Sequence, residues 1–247
     1  MAARETTVRA RGKAAAGSNQ RSNGAKAGKA GRESGTDRRM LILDAAARRF
    51  SEFGFEATTV RQIADDVNIL SGSLYHHFAT KEEILDEIVR EPVLSRRDRI
   101  LHIAQQPLSV EQKVVTLIVD DLHALTTQQE AFAISFNERK FFRRSELFNY
   151  ITKARKEAYD VWVNLLQDGI SEGLFHPDID TYLTISTIVR MLTAAADWYK
   201  HEDGSPLDAM GQYSLETLCE FYVGFILRSI RAPARAGAPI PEPVLDI

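Results

Sequence analysis

Thr58-Thr59-Val60-Arg61-Gln62-Ile63-Ala64, followed by Asn68-Ile69-Leu70-Ser71-Gly72-Ser73-Leu74-Tyr75-His76-His77-Phe78, reads as two short helices joined by a tight turn. Thr59 and Gln62, three residues apart, form a capping-box pair that opens the first helix, which buries Val60, Ile63, Ala64 and Val67. Asn68 takes the turn, where a left-handed backbone is expected, since Asn tolerates positive φ better than most residues. The second helix runs from Ser71 to His77, turns Leu74 and Phe78 inward, and is too short to bury much else. Its outer surface (Ser71, Gly72, Ser73, Tyr75, His76) is small, hydroxylated and aromatic, which suits contact with phosphates and base edges. Three helix N-termini cluster at Thr58/Thr59, Ser71 and Thr80/Lys81, and each offers free N–H groups and a positive dipole end to phosphate. Gly72 would let the backbone approach a duplex closely. A purely structural subdomain with Tyr75 and His77 packed is the plain alternative, but an exposed Ser-Gly-Ser is a poor choice for it.

Upstream, Ile42, Ala45, Ala46, Phe50 and Phe53 recur at helical spacing from Thr36 onward, and Gly54 suits a C-terminal cap. Downstream, Thr80 and Glu83 form another capping box and open a helix through Ile84, Leu85, Ile88 and Val89. No proline occurs before Pro92, and Pro107, Pro177 and Pro206 are expected between helices. Ser109 with Gln112 caps a helix over 110–127; further helices are expected over 145–172, ending at Gly173, and over 178–200 and 208–230. No segment shows strand alternation, so the chain is expected to be all-α. The expected division is a disordered basic tail (1–35), a helix-turn-helix domain (36–83), a helical ligand-binding and dimerisation domain (84–230) and a loose Pro-rich tail (231–247) holding four of the eight prolines.

The net charge of −3 conceals a split: residues 1–39 carry ten Lys/Arg against three acids, net +7, which leaves −10 for the remainder. A basic tail on an acidic body points to a polyanionic partner, whether as phosphate-binding arm or as solubilising extension. Between Met40 and Arg90, five basic residues face nine acids, so a DNA-binding surface there must place its acids away from the groove. One cysteine, Cys219, excludes an internal disulfide and suits a reducing compartment and a place in the core. No run reaches membrane-span length and the N-terminus lacks the apolar segment of a secretory signal, so a cytoplasmic protein is expected.

Five of the twelve phenylalanines lie between 132 and 148, interleaved with Arg139, Lys140, Arg143 and Arg144. One reading is helix core with a solvated basic edge. The other is an apolar pocket with a basic rim, suited to an amphipathic ligand with an anionic group such as an acyl-CoA; its lining would include Phe132, Phe136, Arg139, Phe142, Trp162, Arg190 and Trp198. Leu183, Ile185, Ile188 and Leu192, then Leu215, Leu218, Tyr222, Phe225 and Ile226, form wide apolar faces that a symmetry mate would cover in a four-helix bundle. Catalysis finds no support: the six histidines lack metal-ligand spacing, and there is no Gly-rich phosphate loop or nucleophile elbow. No metal or cofactor is expected.

The stretch 38–85 resembles the headpiece of TetR/AcrR-type bacterial transcription regulators. Asn68 stands where that family usually has Gly, and Leu70 where it often has Ser or Thr. The string Ile69 to Phe78, together with Trp162 to Gly173 and Glu172-Gly173-Leu174-Phe175-His176-Pro177-Asp178, is similar to a subgroup that represses steroid and cholesterol-ring catabolism. The resemblance implies that Thr58, Thr59, Arg61, Ser71, Ser73, Tyr75, His76 and Lys81 face double-stranded operator DNA; Gly72 joins them by the close backbone approach it allows, and Arg38 and Arg39 by the positive charge that the acid-rich stretch lacks. It also implies a homodimeric repressor, held on the nucleoid when bound, spanning two half-sites about 34–36 Å apart and released by a hydrophobic, acyl-CoA or steroid-derived effector. Trp198 and Arg190 lie on the helix that holds ligand in related CoA-binding repressors, though the basic positions align poorly. The rival classes are a helical-bundle enzyme or small-molecule carrier and a non-specific nucleic-acid-binding protein.

Overall fold

A computed structural model describes residues 27–198 and 213–245, with side chains over 37–195 and 213–245. The calls on residues 1–26 and on the side chain of Trp198 lie outside the described residues. The helices are α1 (Ala27–Phe53), α2 (Val60–Asp66), α3 (Ser71–Leu74), α4 (Lys81–Gln105), α5 (Val110–Thr127), α6 (Gln129–Asn137), α7 (Arg139–Phe142), α8 (Asn149–Ser171), α9 (Thr181–Trp198) and α10 (Leu215–Ile230). Among the described residues the one extended pairing is an antiparallel bridge between Phe175 and Arg231. The all-α expectation holds.

The described residues up to Arg38 form a unit of their own, and those from Arg39 onward form a second. Helix is recorded from Ala27, ahead of the expected start at Thr36. Ala, Lys, Arg and Glu between 27 and 33 are good helix formers, and extending a helix costs less than nucleating one.

Local signals fix most of the headpiece. Thr59 and Gln62 make both hydrogen bonds of their capping box, Gly54 has φ +86°, and Asn68 takes the left-handed backbone at φ 54°. Phe53 departs from the expected pattern, being 56% exposed while Phe55 is buried. The turn after Gly54 lets Phe55 pack on Phe50 at 5.1 Å and Phe141 at 4.6 Å, which fills the place Phe53 was expected to take. The third helix is shorter than expected: after Leu74 the chain closes in turns, with the His77 N–H donating to the Leu74 carbonyl at 2.9 Å.

Pro92 lies inside α4. A proline forfeits one backbone hydrogen bond, and the surrounding packing of Val89, Val93 and Ile100 carries the helix through. Side-chain bridges then fasten α4 to its neighbours. Arg96 grips the buried Asp121 of α5 through two 2.7 Å hydrogen bonds, and Arg97 reaches Glu157 of α8 at 3.2 Å. Two apolar clusters result. One centres on α5, α8, α9 and α10. The other joins the headpiece to Ile134, Phe142, Phe148, Ile151 and Ala154.

The Pro-rich stretch expected to trail loosely is tied down instead. Arg231, 6% exposed, donates to Glu111 at 2.8 Å and to the carbonyls of Ala238 and Pro239. Arg235 donates to the other Glu111 oxygen at 2.9 Å, and the Val244 N–H donates to Thr116 Oγ1 at 3.0 Å. Two cations on one buried carboxylate offset its desolvation, a pairing that composition does not reveal.

Candidate DNA-binding and effector sites

The headpiece divides its expected contact residues into outward-facing and structural ones. Thr59, Arg61, Gly72, Tyr75 and His76 are exposed, Ser71 and Ser73 half-exposed, and Arg38, in the N-terminal unit, is exposed. Gly72 has open space where a Cβ would stand. Thr58 is 2% exposed and its hydroxyl donates to the Gly54 carbonyl at 2.9 Å, so it holds the α1–α2 turn. Arg39 sits 4.2 Å over the Phe78 ring and pairs with Glu87, tying α1 to α4.

Lys81 donates to the carbonyls of Phe55 at 2.8 Å and Thr58 at 2.7 Å and lies 4.2 Å from the centre of the Phe55 ring. Burial lowers its pKa. Two of its three N–H groups are thus committed inside the headpiece. Lys81→Met should lower the melting temperature of the DNA-free protein by roughly 2–8 °C, reflecting about 1–2 kcal/mol for a half-buried charged donor. A residue that served only phosphate would leave the DNA-free melting temperature unchanged.

Several acids of the headpiece are paired within it, while the exposed Asp65 lies 3.9 Å from Arg61. No Asp or Glu occurs between Val67 and Thr80. Asp66 pairs with Arg49 at 2.7 Å, Asp86 with Arg90 at 2.7 Å, and Glu83 and Glu87 with Arg39.

In the C-terminal body, a cavity of about 990 Å³ opens between α4, α6, α7, α8 and α9. Its apolar wall includes Val93, Phe132, Phe136, Trp162 and Val189, and its lining carries eight Lys/Arg side chains and no carboxylate. Arg96, Arg97 and Lys156 are neutralised from behind by Asp121, Glu157 and Asp160. Arg139, Lys140, Arg143, Arg155 and Arg190 have no carboxylate partner among the described residues. Burial first, then repulsion from Arg139, Arg96 and Arg143, pushes the Arg155 guanidinium down to about 10; Arg139 is lowered by burial and by Arg190 and Arg143. Both remain charged at neutral pH, so the empty protein bears the cost of crowding them. Two buried donors on this wall, Arg139 Nε and Trp162 Nε1, have no hydrogen-bond partner among the described residues.

Of the lining residues expected from sequence, Phe132, Phe136, Arg139, Trp162 and Arg190 meet around this cavity. Phe142 does not: it is fully buried on the headpiece side, 5.0 Å from the Phe148 ring. Arg155 was not anticipated. Its signal was present, a charge at the edge of the apolar stripe of Ile151, Ala154, Ala158 and Trp162.

The expected dimer faces also divide. Ile188, Leu218 and Tyr222 are buried in the chain's own core, and Leu215 packs partly against it. Leu183 is 69% and Phe225 48% exposed, and Phe225 stacks on the exposed Phe221 at 6.1 Å. Spacing shows that a helix face is apolar; it does not show which part the chain covers itself. Cys219 is buried and its thiol is raised by burial to about 11, which leaves it unreactive.

A helix-turn-helix headpiece on a helical body with a half-open basic cavity is the arrangement of a ligand-responsive DNA-binding regulator. Residues 42–88 match the family of bacterial regulatory proteins typified by the tetracycline repressor, tetR, and residues 107–230 match the tetracyclin repressor-like C-terminal domain. The chain belongs to the TetR family of transcriptional regulators. It is 37% identical over 175 residues to the transcriptional repressor KstR2 of Mycobacterium tuberculosis, covering 70% of this chain and 85% of that one. With KstR2 of Rhodococcus jostii it shares 32% identity over 196 residues, 79% of this chain and 92% of the relative. The solved structure of the ketosteroid transcriptional regulator KstR2 of M. tuberculosis superposes with a TM-score of 0.69 at 32% identity, covering 78% of this chain and 95% of that one. The protein is thus a ligand-responsive transcriptional repressor, acting on operator DNA as a dimer. Among the described residues no helix is long and apolar enough to cross a membrane.

Proposed function

We propose that this repressor governs genes of steroid breakdown and is released from its operator by the CoA thioester of a steroid-derived acid. The observation that carries the ligand class is the cavity, in which an apolar wall stands beside five cations that no carboxylate of the described chain balances. An acyl group would bury against Phe132, Phe136 and Trp162, and the phosphates of the CoA moiety would pair with Arg139, Arg143, Arg155 and Arg190. The steroid assignment is supported by the similarity to the ketosteroid regulator.

On the DNA side, Thr59, Arg61, Ser71, Gly72, Ser73, Tyr75 and His76 make the contacts, with Arg38 adding phosphate attraction, while Thr58, Arg39 and Lys81 hold the surface in shape. Leu183, Phe221 and Phe225 meet their counterparts across the dimer axis.

A physical route joins the two sites. Glu138 lies between α6 and α7, directly before Arg139, and its Oε1 accepts the Phe55 N–H of the α1–α2 turn at 2.8 Å. Lys81 holds the carbonyl of the same residue. A ligand that draws on Arg139 and Lys140 therefore acts on the turn that carries the Thr59 cap. Release requires that the ligand bind the DNA-free arrangement more tightly than the DNA-bound one. Glu138→Ala should cut the factor by which effector weakens operator binding at least fivefold, while leaving effector affinity of the DNA-free protein within about threefold. Unaltered coupling in calorimetric titrations with and without operator would remove Glu138 from the route.

The direct test is fluorescence anisotropy of the full chain on a duplex that it enriches from a random library. A steroid-acid CoA thioester should release the duplex at a concentration at least ~10-fold below that required of CoA alone or of the free acid. Release by CoA alone at the same concentration would refute the role of the apolar wall, and no release by any of the three would refute the ligand class.

A further inference from the structure

Leu70 is 80% exposed, the highest value among the large apolar side chains described. Its exposure has a backbone cause. A helical Leu70 would share the buried face of Leu74, four residues on, but Leu70 stands just ahead of α3 with φ −72° and ψ 143°, an extended conformation. Neighbouring side chains on extended backbone point to opposite sides. Ile69 therefore packs on the headpiece core, with its N–H donating to the Ala64 carbonyl at 3.0 Å, and Leu70 is turned outward. The Leu70 carbonyl accepts the Ser73 N–H at 2.8 Å, which fixes the direction in which the side chain leaves the turn. Around it are Ser71, Gly72 and Ser73, with open space beside Gly72 and no carboxylate from Val67 to Thr80.

We propose that Leu70 reads the 5-methyl group of a thymine in the major groove of each operator half-site. The proposal rests on the reading of α3 and its flanks as the DNA-contacting surface, and it adds a direct base contact of a different chemistry. Ser71, Ser73, Tyr75 and His76 hydrogen-bond to phosphates or base edges. An isobutyl group held out on a fixed backbone gains free energy only when an apolar group covers it. The thymine methyl is the apolar group that the major groove offers, and it separates T from C at that position.

The test is a methyl-deletion scan. The duplex enriched from a random library by the full-length protein is remade with each thymine replaced in turn by uracil, which removes only the methyl. Binding is measured by anisotropy for the unmodified protein and for Leu70→Ala, a change at an exposed site that leaves the fold intact by circular dichroism. At one thymine per half-site, uracil should weaken binding by the unmodified protein about fourfold, equivalent to ~0.8 kcal/mol for one buried methyl, and should not weaken binding by Leu70→Ala further. A penalty of equal size in both proteins, or no penalty at any thymine, overturns the assignment. Tyr75→Ala separates the two levels: if it leaves binding to the enriched duplex unchanged and no thymine shows a penalty, the DNA-facing reading of α3 itself fails; if it weakens binding and no thymine shows a penalty, only the Leu70 assignment fails.

Discussion

Gly169→Ala should unfold this protein at a temperature roughly 6–12 °C lower than the unsubstituted chain. A Cβ at Gly169 would lie 2.1 Å from Phe175 Cδ2, 2.2 Å from Cε2 and 2.9 Å from Cγ, far inside contact distance. The ring has no easy retreat. Phe175 is buried, its N–H donates to the Gly169 carbonyl at 3.0 Å, and the Leu174 N–H donates to the same oxygen at 2.8 Å. On the far side the His176 N–H binds the Ile230 carbonyl at 2.8 Å and the Ala232 N–H binds the Leu174 carbonyl at 2.9 Å. The loop is clamped between the end of α8 and the end of α10, so the added methyl must displace packed backbone. Such overpacking costs about 3 kcal/mol at the upper end of its usual range, and each kcal/mol shifts the midpoint of a chain this size by about 2–4 °C. Adding Phe175→Leu to Gly169→Ala should recover part of the loss, because it removes the atoms in conflict. A melting curve for Gly169→Ala superimposable on that of the unsubstituted protein would show that the loop accommodates the methyl.

The second large effect concerns the effector. Arg139→Ala should weaken binding of an acyl-CoA thioester by about 10–100-fold, since a desolvated guanidinium–phosphate contact is worth ~1.5–3 kcal/mol. The same substitution should leave the ligand-free protein as stable as before or slightly more so. Arg139 is half-buried, its Nε lacks a partner among the described residues, and Arg190 and Arg143 crowd it. An arginine kept for structure behaves in the opposite way. Arg96, locked onto buried Asp121, would on truncation leave a buried carboxylate unpaired and destabilise the fold whether or not ligand is present. Isothermal titration together with thermal melting of Arg139→Ala distinguishes the two. Loss of stability without loss of affinity would place Arg139 in the second class.

The sequence by itself determined the features whose causes are local. Thr59 with Gln62 and Ser109 with Gln112 are three residues apart, and both pairs form their capping boxes. Gly54 and Asn68 take positive φ because the turns there need it and these residues supply it at least cost. Helical spacing marked Ile42, Phe50, Ile63, Leu74 and Trp162 or their helices as core, and all five are nearly fully buried. The helix-turn-helix and the family were legible from these signals together with the Ser71 to His77 surface.

Tertiary structure alone decided how each residue spends its polar atoms. Thr58 and Lys81 carry groups able to bind phosphate, yet they direct hydrogen bonds to carbonyls 4 to 26 residues away in sequence. Ile188, Leu218 and Tyr222 look like interface by periodicity but are enclosed by their own chain. Pro92 stays helical because its neighbours pack on both sides of the missing bond. The Arg139–Arg155 cluster, and the Arg231–Glu111 bond across 120 residues, arise where helices distant in sequence converge. Periodicity gives the direction of a side chain from its own helix axis, whereas a partner, an uncompensated charge or a cavity exists only once two axes are placed side by side.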